Sequence, residues 1–352
     1  MDKIEELIIK SLKNLQEIWL STAQNRKGKP YYPCPSENKT ALVFPSLYDE
    51  NREKTELRFS EQEARFAFTA VLEGEENKEY CYSVETPTID KYVFSEYGDP
   101  VPRIATEEDK LSNKNENKDM GEETEEGKST KGQSASVDIC LWQEGNPCYI
   151  EFKANNPKQQ DFSKDFLKLL YDLYDINFGN KKNYFIHVID SFNDKKITAD
   201  IFPNETDVEK EKKKVVYKVV DKKGEEKEQK PQQYPTLKSI AIKYGKALLA
   251  ATNGAKTGNV HRNPNRLTVF LCFMKLEKVN KEGESKDVFN SLIKNTSSNE
   301  SREAVGKIVK ELIDNEIKDT VACRYKVDVE PLSDPLDGFK IVIEYNEKVQ
   351  QA

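Results

Sequence analysis

Apolar residues recur at steps of three and four near the start of the chain. Ile4, Leu7, Ile8, Leu12, Leu15 and Ile18 fall on one helical face, which predicts an amphipathic helix over 3–21, broken by the Gly/Pro-containing stretch 28–35. A short apolar run occupies 41–44. Ser60 followed three residues later by Glu63 is a capping box, so a second helix starts there and runs to about Leu72. Runs at 80–86 and 92–94, interrupted by Pro87, predict short strands. Farther on lies a strand over 136–142, a Gly/Asn/Pro turn over 143–147 and a hairpin partner over 148–154. Phe162, Phe166, Leu169, Leu170 and Leu173 then set a helix over 161–174, and the near-continuous apolar run 184–189 predicts a strand buried on both faces. A strand at 215–220 sits in a Lys/Glu-rich segment. Helices follow over 237–252 and 301–317, with strands over 267–274, 322–329 and 339–345. No internal repeat is visible, and the order of helices and strands argues for a mixed α/β fold.

Composition narrows this picture. With 352 residues, 36% hydrophobic and 33% charged, the chain can bury one large core or two modest ones. No apolar run approaches the roughly 18 residues of a membrane helix. Residues 1–20 mix Asp, Glu and Lys among their apolar positions, unlike a signal peptide, so neither a membrane partner nor secretion is expected. The six cysteines (Cys34, Cys81, Cys140, Cys148, Cys272, Cys323) form no CxxC pair, and Cys140 and Cys272 lie in apolar runs as small hydrophobes. A reducing, cytoplasmic location fits. With only His187 and His261 present, an imidazole-rich metal site and a Ser-His-Asp triad are poor fits. A metal here would be held by carboxylates, hence a hard ion such as magnesium or manganese. His187 lies in an apolar strand and is expected as a core histidine.

The net charge of -7 is local. Between Ala105 and Gly127 nine acids stand against three lysines, with almost nothing apolar, so the rest of the chain is close to neutral. Such a stretch cannot offset its ordering entropy and is expected to be a disordered acidic insertion, at about 105–132.

The chemistry-bearing pattern lies in the predicted hairpin. Asp138 is followed thirteen residues later by Glu151, with Lys153 two beyond it; period two sends Glu151 and Lys153 to one face while Ile150 and Phe152 take the other. Each charge interrupts an apolar strand, where an unpaired charge would cost several kcal/mol. Two readings stand side by side. Carboxylates from adjacent strands can hold a divalent ion, with the lysine stabilising charge on a phosphate. Alternatively the hairpin has a solvated face and Glu151 and Lys153 form a surface ion pair.

Asp138, then Glu151-Phe152-Lys153, then a helix carrying Lys164-Asp165-Phe166-Leu167-Lys168-Leu169 and an apolar strand, resembles the PD-(D/E)XK, or restriction-endonuclease-like, nuclease superfamily over about 59–190. The proline that often precedes the aspartate is Val137 here. The resemblance implies an α/β fold: a mixed-sheet core of a helix, three strands, a helix and a strand, flanked by helices, with an N-terminal helix and a C-terminal α/β elaboration. Residues 1–54 would form a helical extension. Residues 55–275 would form the core, with the acidic insertion and a second charged insertion at about 204–233, and residues 276–352 would form the elaboration. The resemblance further implies a magnesium- or manganese-dependent nuclease acting on DNA, in defence against foreign DNA or in repair. Asp138, Glu151 and a first-helix glutamate would bind the metal, and Lys153 would assist the attacking water. Glu61 matches that glutamate best; Glu63 is the alternate, with its capping-box role as the competing assignment.

Candidate phosphate contacts are Lys158, Lys164 and Lys168 around the following helix, and Arg262 and Arg266 in a basic loop before a strand. Solvated helix lysines and a plain connector are the competing readings. The alternative in another functional class is a nuclease-fold subunit that binds nucleic acid or a protein partner, or a second copy of itself, without cutting.

Overall fold

A computed structural model describes residues 2–24, 44, 46–48, 54–57, 59–74, 77, 79–93, 102–106, 109, 133–143, 146–172, 182–190, 217–220, 226–229, 236–257, 264–274, 277–279, 285–287, 298–318, 324–333 and 335–346. Arg262 and nearly all of the acidic segment lie outside these residues. In chain order the elements are α1 (Lys3–Gln24), β1 (Ser46–Tyr48), β2 (Lys54–Leu57), α2 (Glu61–Leu72), β3 (Tyr80–Val93), β4 (Arg103–Ile104), β5 (Gln133–Gln143), β6 (Asn146–Ala154), α3 (Gln159–Tyr171), β7 (Lys182–Ile189), β8 (Tyr217–Val220), β9 (Glu226–Gln229), α4 (Leu237–Thr257), β10 (Arg266–Phe273), β11 (Glu277–Val279), β12 (Ser285–Asp287), α5 (Ser298–Ile317), β13 (Tyr325–Pro331) and β14 (Asp337–Tyr345).

Eight strands form one mixed sheet in the order β13-β14-β10-β7-β6-β5-β3-β4. Its pairs β6–β7 and β7–β10 are parallel and the others antiparallel. The pairs β1–β2, β8–β9 and β11–β12 are separate two-stranded ribbons. Helices cover both faces of the main sheet. On one face α1 and α2 bury Ile8, Leu12, Leu15, Ala64 and Phe68 against Ile139, Ile150, Phe152 and Ile186. On the other, α3, α4 and α5 bury Phe166, Leu170, Tyr244, Leu248 and Ile313 against Phe185, Val269 and Ile341. This explains why β7 and β10 read as continuous apolar runs: their alternating side chains enter two cores.

Local chemistry sets the ends. The Asp2 carboxylate accepts the Glu5 amide hydrogen bond at 2.8 Å and so caps α1. Ser60 N–H donates to the Glu63 carboxylate at 2.8 Å, closing the capping box of α2. At the C-terminal end of α3, the side-chain amides of Asn183 and Asn265 donate to the Leu169 carbonyl, at 2.5 and 3.3 Å, supplying donors that a helix end lacks. His187 is fully buried, with Nδ1 2.7 Å from the Tyr244 hydroxyl and Nε2 2.7 Å from the Asn155 carbonyl, and burial pushes its pKa down to about 3. It is a core histidine held neutral.

The chain departs from its sequence pattern in places. Strand β3 runs through Pro87, because beyond β4's short pairing with Tyr92 and Val93 its outer side faces no described strand, and an edge position tolerates the missing N–H. The ladder with β5 shifts register between Pro87 and Lys91, and Glu85 adopts a φ of 49°. The pairs β1–β2 and β11–β12, and the two-residue β4, are too short for a periodic signal. The segment after 276 adds β13 and β14 to the same sheet, with β14 against β10. No described helix is long and apolar enough to cross a membrane.

Candidate active site

The backbone ladder between β5 and β6 runs from Gln143–Asn146 to Ile139–Ile150 and stops there. The next residues are Asp138 on β5 and Glu151 on β6. Strand β6 itself goes on pairing with β7 as far as Ala154–Val188, so the sheet opens as a fork between β5 and β6. Asp138 partly closes it: its Oδ2 accepts the Phe152 amide hydrogen bond at 2.7 Å.

Glu151 and Lys153 share the face of β6 that meets α3. Phe152 points the other way and packs on Phe68 of α2, with ring centroids 5.9 Å apart. The α3 helix brings two further charged groups, Asp165 and Lys168. Asp165 holds both lysines, Oδ2 lying 2.8 Å from Lys153 Nζ and Oδ1 lying 2.9 Å from Lys168 Nζ. Lys168 also donates to the Glu151 carboxylate and, at 2.8 Å, to the Ser136 carbonyl. From the first turn of α2, Glu61 Oε1 approaches Lys153 Nζ to 3.8 Å, and one helical turn later Arg65 stands 3.6 Å from Asp138 Oδ1 and 2.5 Å from the Glu85 carboxylate.

Four carboxylates (Asp138, Glu151, Asp165, Glu61) therefore meet three cations in a largely buried cluster. Burial, reinforced by the Asp165 and Asp138 carboxylates, pushes Glu151 well above the usual carboxylate range. Glu61 is raised by burial and, against the pull of Lys153, by Asp138 and Asp165. Burial alone would raise Asp165 too, but the ammonium groups of Lys168 and Lys153 outweigh it and hold that carboxyl low. Burial disfavours the charge on Lys153 and Lys168, yet the surrounding carboxylates hold both above the ordinary lysine value. Lys153 is thus held as an ammonium by its carboxylate neighbours.

The fit to a metal is mixed in geometry and good in chemistry. Among the described residues no three carboxylate, imidazole or thiol groups close on one point. Lys168 and Arg65 stand beside two of the carboxylates concerned. The donors are all oxygen, as a hard dication requires, and two of them are raised by burial and neighbouring negative charge, a condition that added positive charge would relieve.

Asp138, Glu151, Lys153 and Glu61 thus come together, while Glu63 is committed to its capping box. Lys158 is exposed at the start of α3 and Lys164 is half-buried. Lys168, which sequence grouped with the surface lysines, is only 7% exposed and is buried among these charges, against Glu151 and Asp165. Arg266 begins β10 three residues before the level of Glu151 in the shared parallel register, and pairs with Glu344 at 2.9 Å. Arg65 and Asp165 were not anticipated. Their spacing alone does not single them out: Arg65 is four residues after Glu61 on one helical face, and Asp165 and Lys168 are three apart beside the apolar stripe of α3, as solvated helix pairs also are. Comparison of the chain with protein-family models, with curated proteins and with solved structures finds no match.

Proposed function

We propose that the chain is a magnesium-dependent nuclease of restriction-endonuclease-like fold that hydrolyses phosphodiester bonds in DNA. The observation that carries this reading is the fork: Asp138, Glu151 and Lys153 gather where the β5–β6 ladder ends, with Glu61 delivered from α2. The order α2, β3, β5, β6, α3, β7, with β6 parallel to β7, supports the fold assignment. Asp138, Glu151 and Glu61 would hold the ion, which would supply Lewis acidity at the phosphate and an activated water. Lys153 offers a fixed positive charge to the oxygen on which negative charge develops, and Asp165 keeps its ammonium in place. Lys158, exposed just before α3, is a candidate contact for a phosphate backbone.

One observation favours the non-cleaving alternative, a nuclease-fold binding subunit: the carboxylates do not meet as a ready ligand set and Glu151 is paired with Lys168. Incubation of the protein with plasmid, linear duplex, single-stranded DNA and RNA, with and without magnesium, separates the two. The nuclease reading expects metal-dependent cleavage of DNA that Glu151→Ala and Lys153→Ala abolish. Cleavage of RNA alone would change the substrate. Binding without cleavage, or cleavage indifferent to both variants, would overturn the assignment.

A further inference from the structure

We propose that Lys168 is a positioning residue that clamps the two arms of the fork, and so sets the separation of the Asp138 and Glu151 carboxylates. The clamp is a statement about the strands themselves; only its effect on cleavage rests on the nuclease reading.

A lysine ammonium has three donors, and all three are used here. They go to the Ser136 carbonyl on β5 at 2.8 Å, to the Glu151 carboxylate on β6, and to Asp165 of its own helix at 2.9 Å. Ser136 stands two residues before Asp138, beyond the last backbone pair that joins β5 to β6. One buried nitrogen therefore links both strands to α3 where backbone pairing no longer does. The second link across the fork, Phe152 N–H to Asp138 Oδ2 at 2.7 Å, is also a side-chain substitute for a ladder bond. A simple counter-ion for Glu151 would have no need of a neutral carbonyl on the opposite arm. A surface lysine reading a phosphate backbone would not be buried behind Glu151.

The alternative is charge balance alone, and the test is built to separate the two. Lys168→Met removes the clamp and one positive charge. Lys168→Met with Asp165→Asn removes one charge of each sign, while leaving an oxygen at position 165 for Lys153. Lys168→Arg keeps the charge but cannot point three donors from one nitrogen. Hydrogen exchange of the metal-free proteins across 136–153, magnesium calorimetry, melting temperature, and kcat and KM for plasmid cleavage are measured for all three.

The clamp expects the Phe152 amide to exchange about tenfold faster in every variant while β10 and β14 are unchanged. In the charge-balanced double variant the melting temperature should return close to the parent's while magnesium affinity stays about tenfold lower; in Lys168→Arg, which leaves Asp165 intact for Lys153, kcat should fall about tenfold with KM unmoved. Parent-like exchange and parent-like magnesium affinity in the double variant would make Lys168 a counter-ion and overturn the clamp. If the Met variants fail to fold, Lys168→Arg decides: faster exchange at Phe152 supports the clamp and parent-like exchange refutes it. A parent that cuts nothing, with exchange still accelerated in the variants, would sink the nuclease reading and leave the clamp standing.

Discussion

Asp138 carries two roles that substitution can pull apart. Its carboxylate is the acceptor for the buried Phe152 amide at the fork, and it is also one of the negative charges that raise Glu151 and Glu61. Asp138→Ala removes both. A buried amide left without an acceptor costs about 1–3 kcal/mol, whereas easing like-charge repulsion returns roughly 1 kcal/mol at a site partly open to water, so the metal-free alanine variant should lose up to about 2 kcal/mol. Asp138→Asn keeps an oxygen for the amide and removes the charge, which eases the repulsion of Glu151 and Glu61 but gives up the 3.6 Å pairing with Arg65, so it should stay within about 0.5 kcal/mol of the parent. Urea unfolding without metal reads the difference as a shift in midpoint at constant slope. Both variants should lose magnesium-dependent cleavage. Alanine and asparagine proteins of equal stability would show that the amide bond contributes nothing to closing the fork. An asparagine variant clearly less stable than the parent would refute the repulsion argument as well.

Glu63→Ala should cost about 1 kcal/mol through the opened capping box and leave cleavage intact, whereas Glu61→Gln should leave stability nearly unchanged and weaken both magnesium binding and cleavage; exchanged phenotypes would move the metal role to Glu63. Burial pushes the Asp172 carboxyl up to about 6, against hydrogen bonds from the Asp90 amide and the Tyr92 hydroxyl. Its raised folded-state value means that the native protein binds the extra proton, so its stability contribution is present at low pH and is lost as pH rises through 6. Relative to Asp172→Asn, the parent should lose about 1.4 kcal/mol of unfolding free energy between pH 5 and 7.5, and a flat difference across that range would contradict the assignment.

Much of the architecture was legible because its elements are long and their faces clean. The helical stripe of α1, the capping box of α2 and the apolar runs of β7 and β10 each follow from one period and one burial pattern. Pro87 misled because its consequence depends on what lies beside the strand: a break in a central strand is tolerable at an edge. Within the site, Glu151 and Lys153 were visible as charges interrupting an apolar strand. Asp165 and Lys168 were not, since acidic and basic residues flanking a helix stripe look alike whether they face water or a buried carboxylate. Only the fork reveals which they face.

Glu5, almost fully buried in α1, is held by Lys182 of β7 and by Lys340 of β14, the latter at 2.9 Å. Those partners are spread over nearly the whole length of the polypeptide, which makes the order of synthesis matter. At typical elongation rates Lys340 emerges on the order of ten to thirty seconds after Lys182, and until then a carboxylate destined for the interior has half of its counter-charge. The burial of Glu5 in α1 is thus completed only long after the helix itself is made. Native docking of α1 becomes a late event in folding, as expected for contacts of such long sequence separation.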